Sequence, residues 1–107
     1  MRITSVSADG IRFDNGHGLS DYHSQQCCEN NYADWKQLEE LAYDTNFDEP
    51  LTLESVDDYG FRFGNPPLKM FFVPCYSEQN GYYSYDIEIE YWDENGKVIS
   101  RLETICA

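Results

Sequence analysis

The sequence is poor in positive charge. Seven Lys and Arg stand against twenty Asp and Glu, for a formal net charge of -13 over 107 residues. No Lys or Arg lies between Arg12 and Lys36, and no base of any kind between Lys36 and Arg62. The second gap holds Glu39, Glu40, Asp44, Asp48, Glu49, Glu54, Asp57 and Asp58. A surface of this sign repels phosphate backbones and anionic lipid heads, so direct binding to nucleic acid or to a membrane surface is not expected. Basic proteins and metal cations are the partners such a field admits. The same charge also serves solubility.

Long apolar runs are missing as well. No stretch approaches the ~20 apolar residues of a membrane span, and Met1–Gly10 has no apolar run of signal-peptide length. The expected location is therefore a reducing cytoplasm, where Cys27, Cys28, Cys75 and Cys106 stay thiols. If oxidised, four cysteines allow three pairings, and sequence does not choose among them. There is no CxxC pair, P-loop, dinucleotide fingerprint or nucleophile elbow. These absences lean against an enzyme.

Aromatic residues are plentiful: nine Tyr, six Phe and two Trp. They supply large contact areas, enough to build the core of a single domain, 1–107, without disulfide or metal. Turn signals at Ala8-Asp9-Gly10, Asn15-Gly16, Asp57-Asp58-Tyr59-Gly60 and Asn95-Gly96 divide the chain into short strand-like runs. These are Thr4–Val6, Ile11–Phe13, Leu19–His23, Leu51–Val56, Gly60–Phe63, Leu68–Val73, Tyr83–Tyr91 and Val98–Thr104. One helix is predicted from Asp34 to about Ala42. Trp35, Leu38, Leu41 and Ala42 fall at helical spacing, and Asp34 with Gln37 resembles a capping box. The fold class read from this is α+β, a twisted, mainly antiparallel sheet of five to seven strands with one helix packed on it. A short echo is also present. Ser5-Val6, Gly10, Arg12-Phe13 and Asn15 recur as Ser55-Val56, Gly60, Arg62-Phe63 and Asn65, while the flanking residues do not repeat. It reads either as a duplicated hairpin or as two hairpins meeting the same turn chemistry.

Three groups of residues are candidates for a site. His23 and Cys27 are four apart, which places them on one side of a helix or strand. With Cys75, and Cys28 or Glu29, they could ligate zinc, and the alternative to a site without cofactor is such a Cys/His metal or thiol site. A catalytic thiolate is disfavoured there, because the neighbouring charges are acids. The second group is the stripe Asp86, Glu88, Glu90, extended by Asp93 and Glu94. Carboxylates two residues apart on a strand sit ~7 Å apart on one face, as phosphates do along a backbone. The third group is aromatic. Tyr83, Tyr85 and Tyr91 alternate with polar residues and are predicted core, whereas Tyr82 and Trp92 fall on the other face as a contact surface.

Three segments also share a pattern with a known group of proteins. Tyr22-His23-x-x-x-Cys27-Cys28-Glu29, then Tyr32-Ala33-Asp34, then Asn80-Gly81-Tyr82-Tyr83-Ser84, resembles a small uncharacterised domain family of phage and bacterial proteins. That family often has an acid before the Cys pair; here the position is Gln26. The resemblance implies a phage-like setting and a small α+β fold, and carries no activity. Together these readings predict an acidic, non-enzymatic binding module. It would engage a basic, nucleic-acid-binding protein through its acidic face, as a phage-derived inhibitor would.

Overall fold

The architecture was analysed in a computed structural model that describes residues 1–22, 30–39, 43–56, 59–78 and 85–107. Nine strands occur among the described residues: β1 (Ile3–Ser7), β2 (Gly10–Phe13), β3 (Gly18–Tyr22), β4 (Asn30–Ala33), β5 (Thr52–Val56), β6 (Gly60–Asn65), β7 (Lys69–Glu78), β8 (Asp86–Trp92) and β9 (Val98–Ile105). They form two sheets, a five-stranded one in the order β1-β2-β3-β8-β9 and a four-stranded one in the order β4-β7-β6-β5. Every strand pair in both is antiparallel.

This corrects the expected α+β class. The segment predicted as a packed helix is a short 3-10 helix, Trp35–Glu39. Its facing was read correctly, since Trp35 and Leu38 are buried while Lys36, Gln37 and Glu39 are exposed. Spacing of three satisfies a 3-10 turn as well as an α-helix, and so short a segment does not separate the two periods. The preceding backbone is also still engaged in the sheet, because Asp34 N donates to the Pro74 carbonyl at 2.8 Å. Leu41 and Ala42 lie outside the described residues.

The two sheets share one core. The five-stranded sheet contributes Ile3, Ile11, Phe13, Leu19, Ile87, Ile89 and Tyr91, all buried. The four-stranded sheet contributes Ala33, Phe61, Phe63, Val73 and Cys75. Trp35, Leu38 and Phe47 fill the space between them. Phe47 stacks edge-on to Phe13 at 5.9 Å and to Phe71 at 5.6 Å, and lies 5.6 Å from Phe63, so a residue outside every strand joins the sheets. Alternation of apolar and polar residues sets these faces wherever one side of a strand meets water.

Two strands depart from the expected boundaries. β7 runs straight through Pro74, past the Val73 at which the expected strand stops. Pro74 sits where β6 begins, opposite Gly60, and its own carbonyl serves Asp34 on the other side. The turn after β6 holds Leu68, which is 91% exposed, so the apolar run starts one residue before its strand. β9 belongs to the five-stranded sheet but also closes it onto the other. Thr104 is buried, and its Oγ1 donates to the Gly60 carbonyl at 2.6 Å and lies 2.9 Å from Ser55 Oγ. No helix among the described residues is long and apolar enough to cross a membrane.

A candidate binding face on the five-stranded sheet

β8 runs between β3 and β9, so its outward side chains lie at the centre of a sheet face. Ile87, Ile89 and Tyr91 point to the core, and Asp86, Glu88, Glu90 and Trp92 take the outer side, half-buried by their neighbours. Across the β8–β9 ladder Glu88 faces Glu103 and Glu90 faces Arg101. Arg101 Nε stands 3.6 Å from Glu88 Oε1 and 3.4 Å from Glu90 Oε2, so one guanidinium is shared by two members of the stripe. Pairs this exposed contribute at most about 1 kcal/mol, so an incoming cation can displace Arg101 at small cost.

The other two acids of the expected ridge are occupied elsewhere. Asp93 builds the β8–β9 turn: its Oδ1 accepts from Asn95 N and Lys97 N, each at 2.9 Å. Asp93 N also donates to the Lys97 carbonyl at 2.8 Å, leaving three residues, Glu94-Asn95-Gly96, in the loop, one more than the Asn95-Gly96 pair that signals the turn. Glu94 turns toward a histidine that the sequence reading passed over. His17 is buried, with Nε2 at 3.0 Å from Glu94 Oε2 and Nδ1 at 2.7 Å from the Tyr91 hydroxyl. In the neutral ring Nε2–H donates to Glu94, and Nδ1 accepts from Tyr91. Burial raises the pKa of the Tyr91 phenol, which keeps that proton on the oxygen. With both ring nitrogens engaged and the ring enclosed, His17 ties the β2–β3 turn to the β8–β9 turn. The one sequence signal for it was its place directly after Asn15-Gly16, next to a turn.

At the far end of the same face Trp92 lies flat across β3. A Cβ on Gly18 would meet its ring at 2.3 Å, so glycine is what allows the indole to settle there. Arg12 covers the ring at 4.9 Å, and Trp92 Nε1 donates to Ser20 Oγ at 3.3 Å. These residues, with Ser5, Ser7 and Asp9, line a shallow cavity of about 260 Å³. Trp92 therefore takes the outer face it was assigned, as a half-buried anchor under an arginine.

Of the aromatic predictions, Tyr91 is core, whereas Tyr85, which precedes β8, is exposed. Tyr82 and Tyr83 lie outside the described residues. So do His23, Cys27, Cys28 and Glu29, which supply three of the four ligands suggested for zinc. Among the described residues no group of three His, Cys, Asp or Glu is arranged to hold a metal ion. Cys75, the remaining suggested ligand, is buried in the core beside Cys106. No family model, no curated protein and no solved structure matches the chain.

Proposed function

We propose that this protein is a non-enzymatic binding module that holds a basic protein against the outer face of its five-stranded sheet. The observation that carries the reading is the alignment of Asp86, Glu88 and Glu90 along β8, with Glu103 opposite Glu88 on β9. Acids on alternate residues repeat every ~7 Å, a spacing that a groove built for phosphates can read. Trp92 at the end of the stripe adds an apolar anchor of the type enriched at binding hot spots. The net charge of -13 extends the attraction beyond contact distance. In its sharpest form the module is an inhibitor that occupies the basic groove of a nucleic-acid-binding protein.

The test is capture from nuclease-treated lysate on the tagged full chain, eluted along a salt gradient. A basic nucleic-acid-binding protein should be retained at low salt and released at moderate salt, because screening weakens steered association. The D86S/E88S/E90S variant, checked for an unchanged circular-dichroism spectrum, should lose that protein. A partner retained equally by the triple variant, or one indifferent to salt, would overturn the reading.

A further inference from the structure

Cys75 and Cys106 are far apart in sequence but meet where β9 runs out. Ala107 N donates to the Cys75 carbonyl and Ser77 N donates to the Ala107 carbonyl, both at 2.9 Å. That is the bonding pattern of a parallel pair in which Ala107 stands opposite Tyr76. Cys106 consequently stands beside Cys75, with both side chains buried. Neighbouring strands lie ~4.8 Å apart, inside the ~4.4–6.8 Å window that a disulfide spans between Cα atoms. The two thiols hydrogen-bond to each other.

Both cysteines are enclosed, but they differ in what lies beside them. Cys106 forms part of the wall of an apolar cavity of about 440 Å³, shared with Tyr59, Tyr85, Ile105 and Ala107. Cys75 is fully enclosed in the core and is not among the residues of that wall. They also differ in acidity. The hydrogen bond from Cys75 lowers the pKa of Cys106, against the opposing effects of burial and of the Asp21 and Asp86 carboxylates. The same bond, together with burial, raises the pKa of Cys75. Asp21 is itself a half-buried carboxyl whose pKa is raised by burial, offset in part by the Ala33 N–H that donates to it at 2.7 Å.

We infer that Cys75 and Cys106 form a redox-active dithiol that low-molecular-weight disulfides oxidise through the cavity beside Tyr59 and Tyr85. The Cys106 thiolate attacks one sulfur of the reagent. The reagent's S–S bond breaks, one thiolate leaves, and a mixed disulfide forms at Cys106. The Cys75 sulfur then attacks Cys106 and passes its proton to the departing second thiol. The protein loses two protons and two electrons, and the reagent is reduced to two thiols. The product bridges β7 of one sheet to the end of β9 from the other. It closes a loop of the chain and constrains the unfolded state, so the thermal midpoint should rise by roughly 10 °C.

The probe is cystamine, a small cationic disulfide, added to the native full-length chain, followed by acid quench, alkylation and peptide mapping. The expected product has lost two hydrogens, contains a Cys75–Cys106 linked peptide and returns to the dithiol with dithiothreitol. Cys75→Ser should stop at a cysteamine adduct on Cys106, and Cys106→Ser should leave Cys75 unmodified. Native protein with both thiols still alkylated after cystamine would overturn the inference. So would an adduct on Cys75 in the Cys106→Ser variant, which would reverse the order of attack. None of these results depends on the acidic face.

Discussion

The β1-β2-β3 meander and the β5-β6-β7 meander lie in different sheets and repeat one piece of construction. Gly10 pairs with Ser20 and Gly60 with Pro74; Ile11 faces Leu19 and Phe61 faces Val73. In each, the glycine is where the next strand's carbonyl passes too close for a side chain. A Cβ would stand 2.0 Å from Leu19 O at Gly10 and 2.3 Å from Val73 O at Gly60. The residue after each is buried, the arginine after that faces outward, and the phenylalanine that follows is core again. The echo in the sequence thus marks a shared steric requirement.

The hairpins that precede these pairs differ by one residue. β1–β2 closes with Ser7 opposite Gly10, and β5–β6 with Val56 opposite Gly60. The surroundings of the two arginines differ more. Arg12 caps the Trp92 ring, whereas Arg62 Nη2 binds Glu54 Oε2 at 2.6 Å within its own hairpin. The comparison separates what a local pattern dictates, which is register and facing, from what the neighbouring strand supplies, which is the partner of an outward side chain.

The largest way to break the likeness is in the core. Phe63 sits among Phe47, Phe61 and Phe71, whereas Phe13 has one aromatic neighbour of its kind, Phe47. Phe63→Ala should cost about 4 kcal/mol and Phe13→Ala about 3 kcal/mol in urea unfolding. Equal costs would show that the second aromatic cluster adds nothing beyond burial.

The glycines come next. Gly10→Ala and Gly60→Ala should each cost about 2–3 kcal/mol, because a backbone carbonyl cannot move aside as a side-chain end can. A near-neutral result at one glycine would restrict the steric account to the other meander. The smallest effects belong to the arginines. Arg12→Ala should cost about 1 kcal/mol through its stacking on Trp92, and Arg62→Ala under ~0.5 kcal/mol, since its ion pair is exposed. The reverse order would place the greater role on the exposed pair.

Much of the strand pattern was legible because period-two alternation and Asn-Gly or Asp-Gly turns are local signals. Ile87, Ile89 and Tyr91 against Glu88 and Glu90 is the plainest instance, and the outer placement of Trp92 followed from the same parity. The helix was misread because Trp35 and Leu38 satisfy a 3-10 turn equally well. The candidate face was legible as a stripe on one strand, but Arg101 and Glu103 beside it come from β9, whose register is set across the ladder. Asp93 and Glu94 looked like further acids of the stripe, because a carboxylate spent on a turn or a histidine has the same one-letter code as a free one.

The sequence by itself determined the acidic surface, the strand-rich pattern, the facing of β8 and the need for small residues at the hairpins. Each of these follows from charge count or from neighbours close along the chain. Only the tertiary structure decided that the strands divide between two sheets, that His17 joins two turns, and that Cys106 lies against Cys75. Those pairings unite residues far apart in the chain, so no local pattern carries them.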